Sequence, residues 1–465
     1  MLQDLKEIIA IDSVYSTPRP NAPFGKKARA ALDWFLEKSK AYGFKTGEKD
    51  GYCGWAEIGE GNRLIGVVCH LDVVPAGEGW TYPPYCMTVE GGRIYGRGVA
   101  DDKGALVACM HAMKSILDSG EPLDGRIRII VGCNEENGSA CMKHYVKHCE
   151  IPSASIVPDA DFPIINSEKG IIHYLAKVPL DKFFKDNILS LGGGVKDNVV
   201  PDRAKMTVKK DSPLYMYLKG LSSFDERLFK CEPFVSALLG DGHELKDFAL
   251  HDGDDGLTIE TCGIAGHAMD PEKGDNAIWK LFCLLASVND TFPSEVAQDI
   301  YENICSPLSC EKIGFACSDE QSGDTTCNLG VISMNESTLD LELNIRIPIC
   351  CDKNSIAPLI KSKLPKDSEV KEMMFSPNLF IDKDSPLIKT LLDVYGKVTG
   401  NETYCLKTGG GTYAKELPGA VAFGPTFPGT QTDLHNADEN LPVKEFEKLF
   451  DIYRAAMLAL DKAKL

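Results

Sequence analysis

Residues 63–72 read Arg63-Leu64-Ile65-Gly66-Val67-Val68-Cys69-His70-Leu71-Asp72. The run Leu64, Ile65, Val67 and Val68 is short and apolar, the pattern of a strand covered on both faces in a parallel sheet. Downstream, Leu106, Cys109, Met110, Met113, Ile116 and Leu117 recur at helical spacing across residues 103–117. A second apolar strand, Arg126–Gly132, follows and runs into Asn134-Glu135-Glu136. Strand, helix, strand in that order predicts an α/β sheet with helices on its faces. Upstream, Ala28, Ala31, Leu32, Phe35 and Leu36 predict a helix that stops at Gly43.

The texture changes in the middle of the chain. Residues 172–178, 204–209 and Thr338–Ile347 alternate polar and apolar, and residues 276–288 read as a helix between such strands. Residues 385–399 then read as a helix with Ser385 as N-cap and Pro386 in the first turn, and residues 441–463 as a closing amphipathic helix. The expected architecture is α/β: a mixed, mostly parallel sheet flanked by helices, interrupted by an inserted α+β domain. The boundaries expected are 1–168 and 381–465 for the discontinuous α/β domain, and 169–380 for the insertion.

Composition narrows the function classes. With 465 residues and a net charge of −18, the chain carries no electrostatic footprint for nucleic acid or anionic lipid. Its longest apolar runs, such as residues 64–69 and 129–133, fall far short of the ~20 residues of a membrane span. The first residues, Met1-Leu2-Gln3-Asp4-Leu5-Lys6-Glu7, read as a helix start without the basic and apolar regions of a signal peptide. An odd count of 17 cysteines, several in apolar segments, fits reduced thiols and a cytoplasmic location. Neither Cys305/Cys310 nor Cys350/Cys351 makes a thiolate zinc array.

Several short stretches could carry chemistry. His70 and Asp72 stand two apart at the end of a buried strand, so their side chains face the same way. A metal-bound imidazole commonly gives its other N–H to a carboxylate or carbonyl, although a chance His-x-Asp would look the same. Asp101 and Asp102, in Gly96-Arg97-Gly98-Val99-Ala100-Asp101-Asp102-Lys103-Gly104, read either as a helix cap or as a metal ligand on irregular backbone. Glu135 and Glu136, past the second strand, are either solvated or split between a ligand and a general base. Pro158-Asp159-Ala160-Asp161 reads as a turn or a ligand site. His435, in Asp433-Leu434-His435-Asn436-Ala437-Asp438-Glu439, is a ligand or a loop histidine. Together they collect imidazoles and carboxylates without thiolates. That set suits a pair of divalent ions, Zn²⁺ with Mn²⁺ or Co²⁺ as alternatives, which could clamp a bridging hydroxide.

In order along the chain, these motifs resemble the dinuclear-metal M20 peptidases. The phrases Pro158-Asp159-Ala160-Asp161-Phe162-Pro163, Glu168-Lys169-Gly170 and Thr408-Gly409-Gly410-Gly411-Thr412-Tyr413 are similar to the PepV-type bacterial dipeptidases, also called Xaa-His or β-Ala-Xaa dipeptidases. The resemblance implies that Asp101 bridges two metals, with His70 and Asp159 completing one site and Glu136 and His435 the other. Asp72 would orient His70, and Glu135 would take the proton of the bridging water. A cis peptide is implied between Asp101 and Asp102. The insertion resembles the family's lid. His267, in Gly266-His267-Ala268-Met269-Asp270-Pro271, matches the histidine that stabilises the oxyanion. Asn198 matches a substrate contact, and Arg346 would grip the substrate's C-terminal carboxylate with help from the loop carrying Gly410 and Thr412.

The function implied is a metal-dependent dipeptidase that hydrolyses unblocked L-dipeptides, its doubled lid serving its own active site in a monomer. Another M20 amidohydrolase, an N-acyl amino acid deacylase or desuccinylase, is the alternative within the enzymes. A catalytically dead binding protein is the alternative outside them.

Overall fold

A computed structural model of the chain describes residues 1–221, 247–305 and 308–464. The chain forms two compact units, one of Met1–Glu168, Leu379–Lys407 and Gly411–Leu465, the other of Lys169–Asn378 and Thr408–Gly410. Among the described residues, no helix is long and apolar enough to cross a membrane.

The first unit is built on a nine-stranded sheet. At its centre Arg126–Gly132, Leu64–His70, Ala154–Val157 and Ala420–Ala422 lie side by side and parallel. Every residue of Leu64–His70 is buried, as its apolar run requires. The mixed sheet expected is present, with these four strands as its central parallel part. Beyond them, Lys45–Lys49 and Cys53–Gly59 on one side, and Ile165–Glu168 and Leu379–Phe380 on the other, pair antiparallel. Lys103–Ser119 and Val443–Lys462 pack on the strand Leu64–His70, while Lys26–Ala41 and Ala140–His148 pack on Cys53–Gly59. Pro386–Thr399 starts where its sequence says, with the Ser385 hydroxyl accepting from the Ile388 N–H. The closing helix begins at Val443 rather than residue 441, because Asn440–Pro442 is extended and pairs with Arg93–Tyr95.

The second unit holds an eight-stranded sheet, antiparallel throughout, in the order Phe248–Asp252, Gly256–Cys262, Arg203–Lys209, Ile188–Gly193, Thr326–Met334, Thr338–Ile347, Gly170–Pro179, Glu369–Ser376. Alternation along Thr338–Ile347 sends Leu339, Leu341, Leu343, Ile345 and Ile347 into this unit's core. The intervening residues face the other way. Two of them, Asn344 and Arg346, are nevertheless buried.

Candidate metal centre and the polar face of the inserted unit

In open α/β sheets the chemistry collects beyond the carboxyl ends of the parallel strands. Here His70 closes the strand Leu64–His70, Glu135 and Glu136 follow Arg126–Gly132, and Asp159 follows Ala154–Val157. Adjacent parallel strands thus bring three separate sequence motifs together. Asp101 comes from the loop leading into Lys103–Ser119, and His435 from the loop before the closing helix.

Two groups of ligand atoms result, His70/Asp101/Asp159 and Asp101/Glu136/His435, with the atoms of each group within 4.8 Å of one another. Asp101 belongs to both. Its Oδ1 lies 2.7 Å from His70 Nε2 and its Oδ2 3.0 Å from His435 Nε2. Asp159 Oδ1 is 3.7 Å from His70 Nε2, and Glu136 Oε2 is 3.4 Å from His435 Nε2. His435 holds its position with φ at 62°, a left-handed conformation uncommon for a non-glycine residue. Glu135 stands beside the cluster but in neither group.

The expectation for Asp72 needs a correction in its atoms. His70 Nδ1 lies 2.9 Å from the backbone carbonyl of Asp72, whereas the Asp72 carboxylate is 3.8 Å away. That carboxylate instead accepts the backbone N–H groups of Glu135 and Glu136, at 3.0 and 3.1 Å. It aims the two glutamates, and the carbonyl aims the imidazole. The cap reading of Asp101-Asp102 also changes. Asp102 occupies the N-cap position of Lys103–Ser119 without a side-chain cap bond, and its Oδ2 accepts the His70 N–H at 3.1 Å. The peptide between the two aspartates is cis.

Sequence reasoning missed the residue that shapes this loop. Glu439 is fully buried and accepts the N–H groups of Gly98, Ala100 and Asp101 at 3.0, 2.9 and 3.2 Å. Its Oε2 also takes Arg97 Nη1 at 2.7 Å, and Arg97 is itself buried. The signal lay in both quoted motifs, Arg97 in one and Glu439 in the other, but only the fold shows that they pair. The glycines make the approach possible. Gly98 has φ at 90°, and a Cβ on Gly104 would lie 2.1 Å from the Val99 carbonyl oxygen.

Electrostatics test whether this donor set fits cations. Burial pushes the Asp159 carboxyl up, and the neighbouring Asp101 charge adds to it, to about 7. Burial and then Asp159 likewise raise Glu135 well above the carboxylate range. Burial would raise Asp101 too, but hydrogen bonds from His435 and His70 hold it well below its ordinary value. Burial disfavours a charged His435, yet Asp101 and Glu136 raise it to about 11. His70 is raised well above its ordinary value by Asp159 and Asp101 against the same opposition. Protons thus collect where the carboxylates need positive charge, and divalent cations supply that charge with neutral imidazole and ionised carboxylate ligands. Two imidazoles and three carboxylates without thiolate fit divalent metal ions.

The inserted unit carries its own polar set. Gly266–His267 pairs with Val199–Val200, which places His267 next to Asn198, and the Ala268 N–H donates to the Asn198 carbonyl at 3.0 Å. His267 Nδ1 accepts the Met269 N–H at 3.1 Å, so in the neutral ring the proton sits on Nε2. Among the described residues, Asn198 Oδ1 is buried without a hydrogen-bond partner. Arg346 donates from Nε to Asn344 Oδ1 at 2.8 Å and from Nη1 to the Gly409 carbonyl at 3.2 Å. Among the described residues no carboxylate lies within ion-pairing distance of it, and burial lowers its guanidinium to about 10. Two N–H groups expected to help are already engaged. Gly410 donates to Thr408 Oγ1 at 3.0 Å, and Thr412 donates to buried Glu168 through both its N–H and its hydroxyl, at 3.0 and 2.9 Å.

Residues 66–459 match the model of peptidase family M20/M25/M40. The chain belongs to this family. It is a metallopeptidase. A Bacillus subtilis protein described as "Putative dipeptidase YtjP" is 34% identical over 471 residues, covering 99% of this chain and 97% of its own. Human carnosine dipeptidase 1 superposes with a TM-score of 0.59 at 15% identity, covering 99% of this chain and 96% of that one. The Saccharomyces cerevisiae di-peptidase Dug1p does so with a TM-score of 0.58 at 13% identity, covering 100% and 96%. At such identities the structures establish the shared M20 fold.

Proposed function

We propose that this M20 enzyme is a dipeptidase acting on unblocked L-dipeptides with two divalent ions, Zn²⁺ first among them. The observation that carries the reading is the pair of ligand groups sharing Asp101, with Glu135 beside them and in neither. Two ions held by His70, Asp101, Asp159, Glu136 and His435 would supply Lewis acidity and activate water as the nucleophile.

The chain's own residues would do the rest. Glu135, held by its backbone N–H on Asp72, takes the proton and returns it to the leaving amine. His267, with Nδ1 accepting, would donate from Nε2 to a developing oxyanion, a role worth ~2.7–4 kcal/mol in other hydrolases. Asn198 offers a buried, unpartnered carbonyl oxygen to the substrate. Arg346, a buried guanidinium with no carboxylate in ion-pairing distance among the described residues, receives the C-terminal carboxylate of the dipeptide. The loop of Gly410 and Thr412 shapes that end of the site, itself fixed by Thr408 and Glu168. A carboxylate receiver in a lid sets the substrate length, and the "Putative dipeptidase YtjP" similarity points the same way. One chain would supply both sets of residues.

The test is hydrolysis of Ala-Leu, N-acetyl-Leu and Ala-Leu-Ala by the metal-loaded protein. Cleavage of Ala-Leu in strong preference to the others is expected. Preference for N-acetyl-Leu would replace this reading with the deacylase one.

A further inference from the structure

Three neighbouring strands of the inserted unit align a polar row. Asn328 lies opposite Asn344, and Asn344 opposite His173, across Thr326–Met334, Thr338–Ile347 and Gly170–Pro179. Asn328 and Asn344 are fully buried, on strands whose other residues feed an apolar core. Buried amides are costly unless each is satisfied, so such a row needs a purpose.

Its hydrogen bonds have a direction that the arginine dictates. A guanidinium only donates, so the Asn344 oxygen must face Arg346 Nε, 2.8 Å away. The Asn344 amide nitrogen therefore donates to His173 Nε2, at 2.8 Å. With Nε2 accepting, the ring proton sits on Nδ1, which is 2.6 Å from Asp197 Oδ2. Asn328 ties the same loop from the other end of the row, donating from Nδ2 to the Asp197 and Val199 carbonyls at 2.8 and 2.9 Å. Asn198, with its unpartnered oxygen, lies between those two carbonyls.

We propose that His173 is a positioning residue for substrate binding: it joins Asn344, which holds Arg346, to Asp197, which carries the Asn198 loop, so that arginine and loop are presented as one rigid receptor for the dipeptide's carboxyl end. This rests on the reading of Arg346 as the carboxylate receiver. A side chain at position 173 must accept from Asn344 and donate to Asp197 at once, which glutamine can do and leucine cannot.

The experiment compares kcat and KM for Ala-Leu and for Ala-Leu amide, using the metal-loaded wild type, Arg346→Met, His173→Leu, His173→Gln and Asp197→Ala. Arg346→Met calibrates the reading and should abolish the preference for the free carboxylate. His173→Leu should raise KM for Ala-Leu ~10–100-fold, the range for hydrogen bonds that orient a charged group, with kcat little changed. It should also shrink the acid-over-amide preference, and His173→Gln should restore most of both. Asp197→Ala opens the same link from its other end, on the loop beyond the strand, and carries the test should His173→Leu fail to fold. If Arg346→Met keeps the preference, the carboxylate reading falls and the inference with it. If Arg346→Met loses it while His173→Leu and Asp197→Ala keep wild-type KM and preference, the reading stands and the role of His173 is refuted. A loss in kcat alone, equal for acid and amide, would equally refute it.

Discussion

Replacing Glu439 by glutamine removes one charge from a site that water does not reach. The carboxylate serves four donors: the backbone N–H groups of Gly98, Ala100 and Asp101, and Arg97 Nη1 at 2.7 Å. Glutamine keeps one acceptor oxygen and turns an NH2 group toward donors. Arg97 is left with distant carbonyls of Pro75 and Ala76, at 3.4 and 3.3 Å, and among the described residues its Nε has no partner. Taking one member from a buried ion pair costs ~3–5 kcal/mol, because the other charge stays buried and uncompensated. The same change loosens the backbone that presents Asp101, so metal affinity should fall ~10–100-fold, as for other outer partners of metal ligands. Urea unfolding of chelated protein measures the first effect, and competition with a chromogenic chelator the second. The double variant Glu439→Gln/Arg97→Met should lose less than the two singles together, by ~0.5–3 kcal/mol of coupling. A loss below ~1 kcal/mol with unchanged metal affinity would refute the reasoning.

Other consequences follow from the same geometry. Glu135→Gln should lower kcat by ~10²–10⁴-fold while the protein still takes up its metal, since Glu135 is in neither ligand group; lost metal uptake would reassign it as a ligand. On the proposed reading, in which one chain supplies both sets of residues, an equimolar mixture of His267→Ala and Glu135→Ala proteins should stay inactive; recovered turnover would show sites shared between chains. At Asp4, burial would raise the carboxyl, but hydrogen bonds from Tyr42, Lys38 and His111 overcome it and hold it at about 2, below its ordinary value of 3.8. A carboxyl lowered by folding stabilises the native state above its unfolded pKa and loses that contribution as pH falls through the folded one. Acid unfolding between pH 3.8 and about 2 should therefore be steeper in wild type than in Asp4→Asn, and identical slopes would contradict the assignment.

Much of the α/β unit was legible because its signals are local. Leu64–His70 and Arg126–Gly132 declare themselves by apolar runs, and His70, Glu135 and Glu136 stand at or just past their carboxyl ends, where any strand-end reading looks. Ser385 with Pro386 likewise fixes a helix start from two residues. What stayed hidden depends on pairing across the chain. Arg97 and Glu439 are 342 positions apart, and neither motif alone says that one buried carboxylate gathers the amides around Asp101. Asp72 was placed correctly beside His70, yet whether its carbonyl or its carboxylate meets the ring is decided by where Glu135 and Glu136 bring their N–H groups. The row Asn328–Asn344–His173 is invisible without strand register, since each residue alone is an ordinary polar position in an alternating strand.

The most direct test of the central claim is to strip the protein with chelator and return Zn²⁺, Mn²⁺ or Co²⁺ stepwise, following Ala-Leu hydrolysis and bound metal together. The account predicts that activity needs two ions per chain, and that Asp101→Ala, which removes the residue common to both ligand groups, abolishes activity and weakens both sites. Full activity in the stripped protein, or two ions bound undiminished by Asp101→Ala, would contradict it.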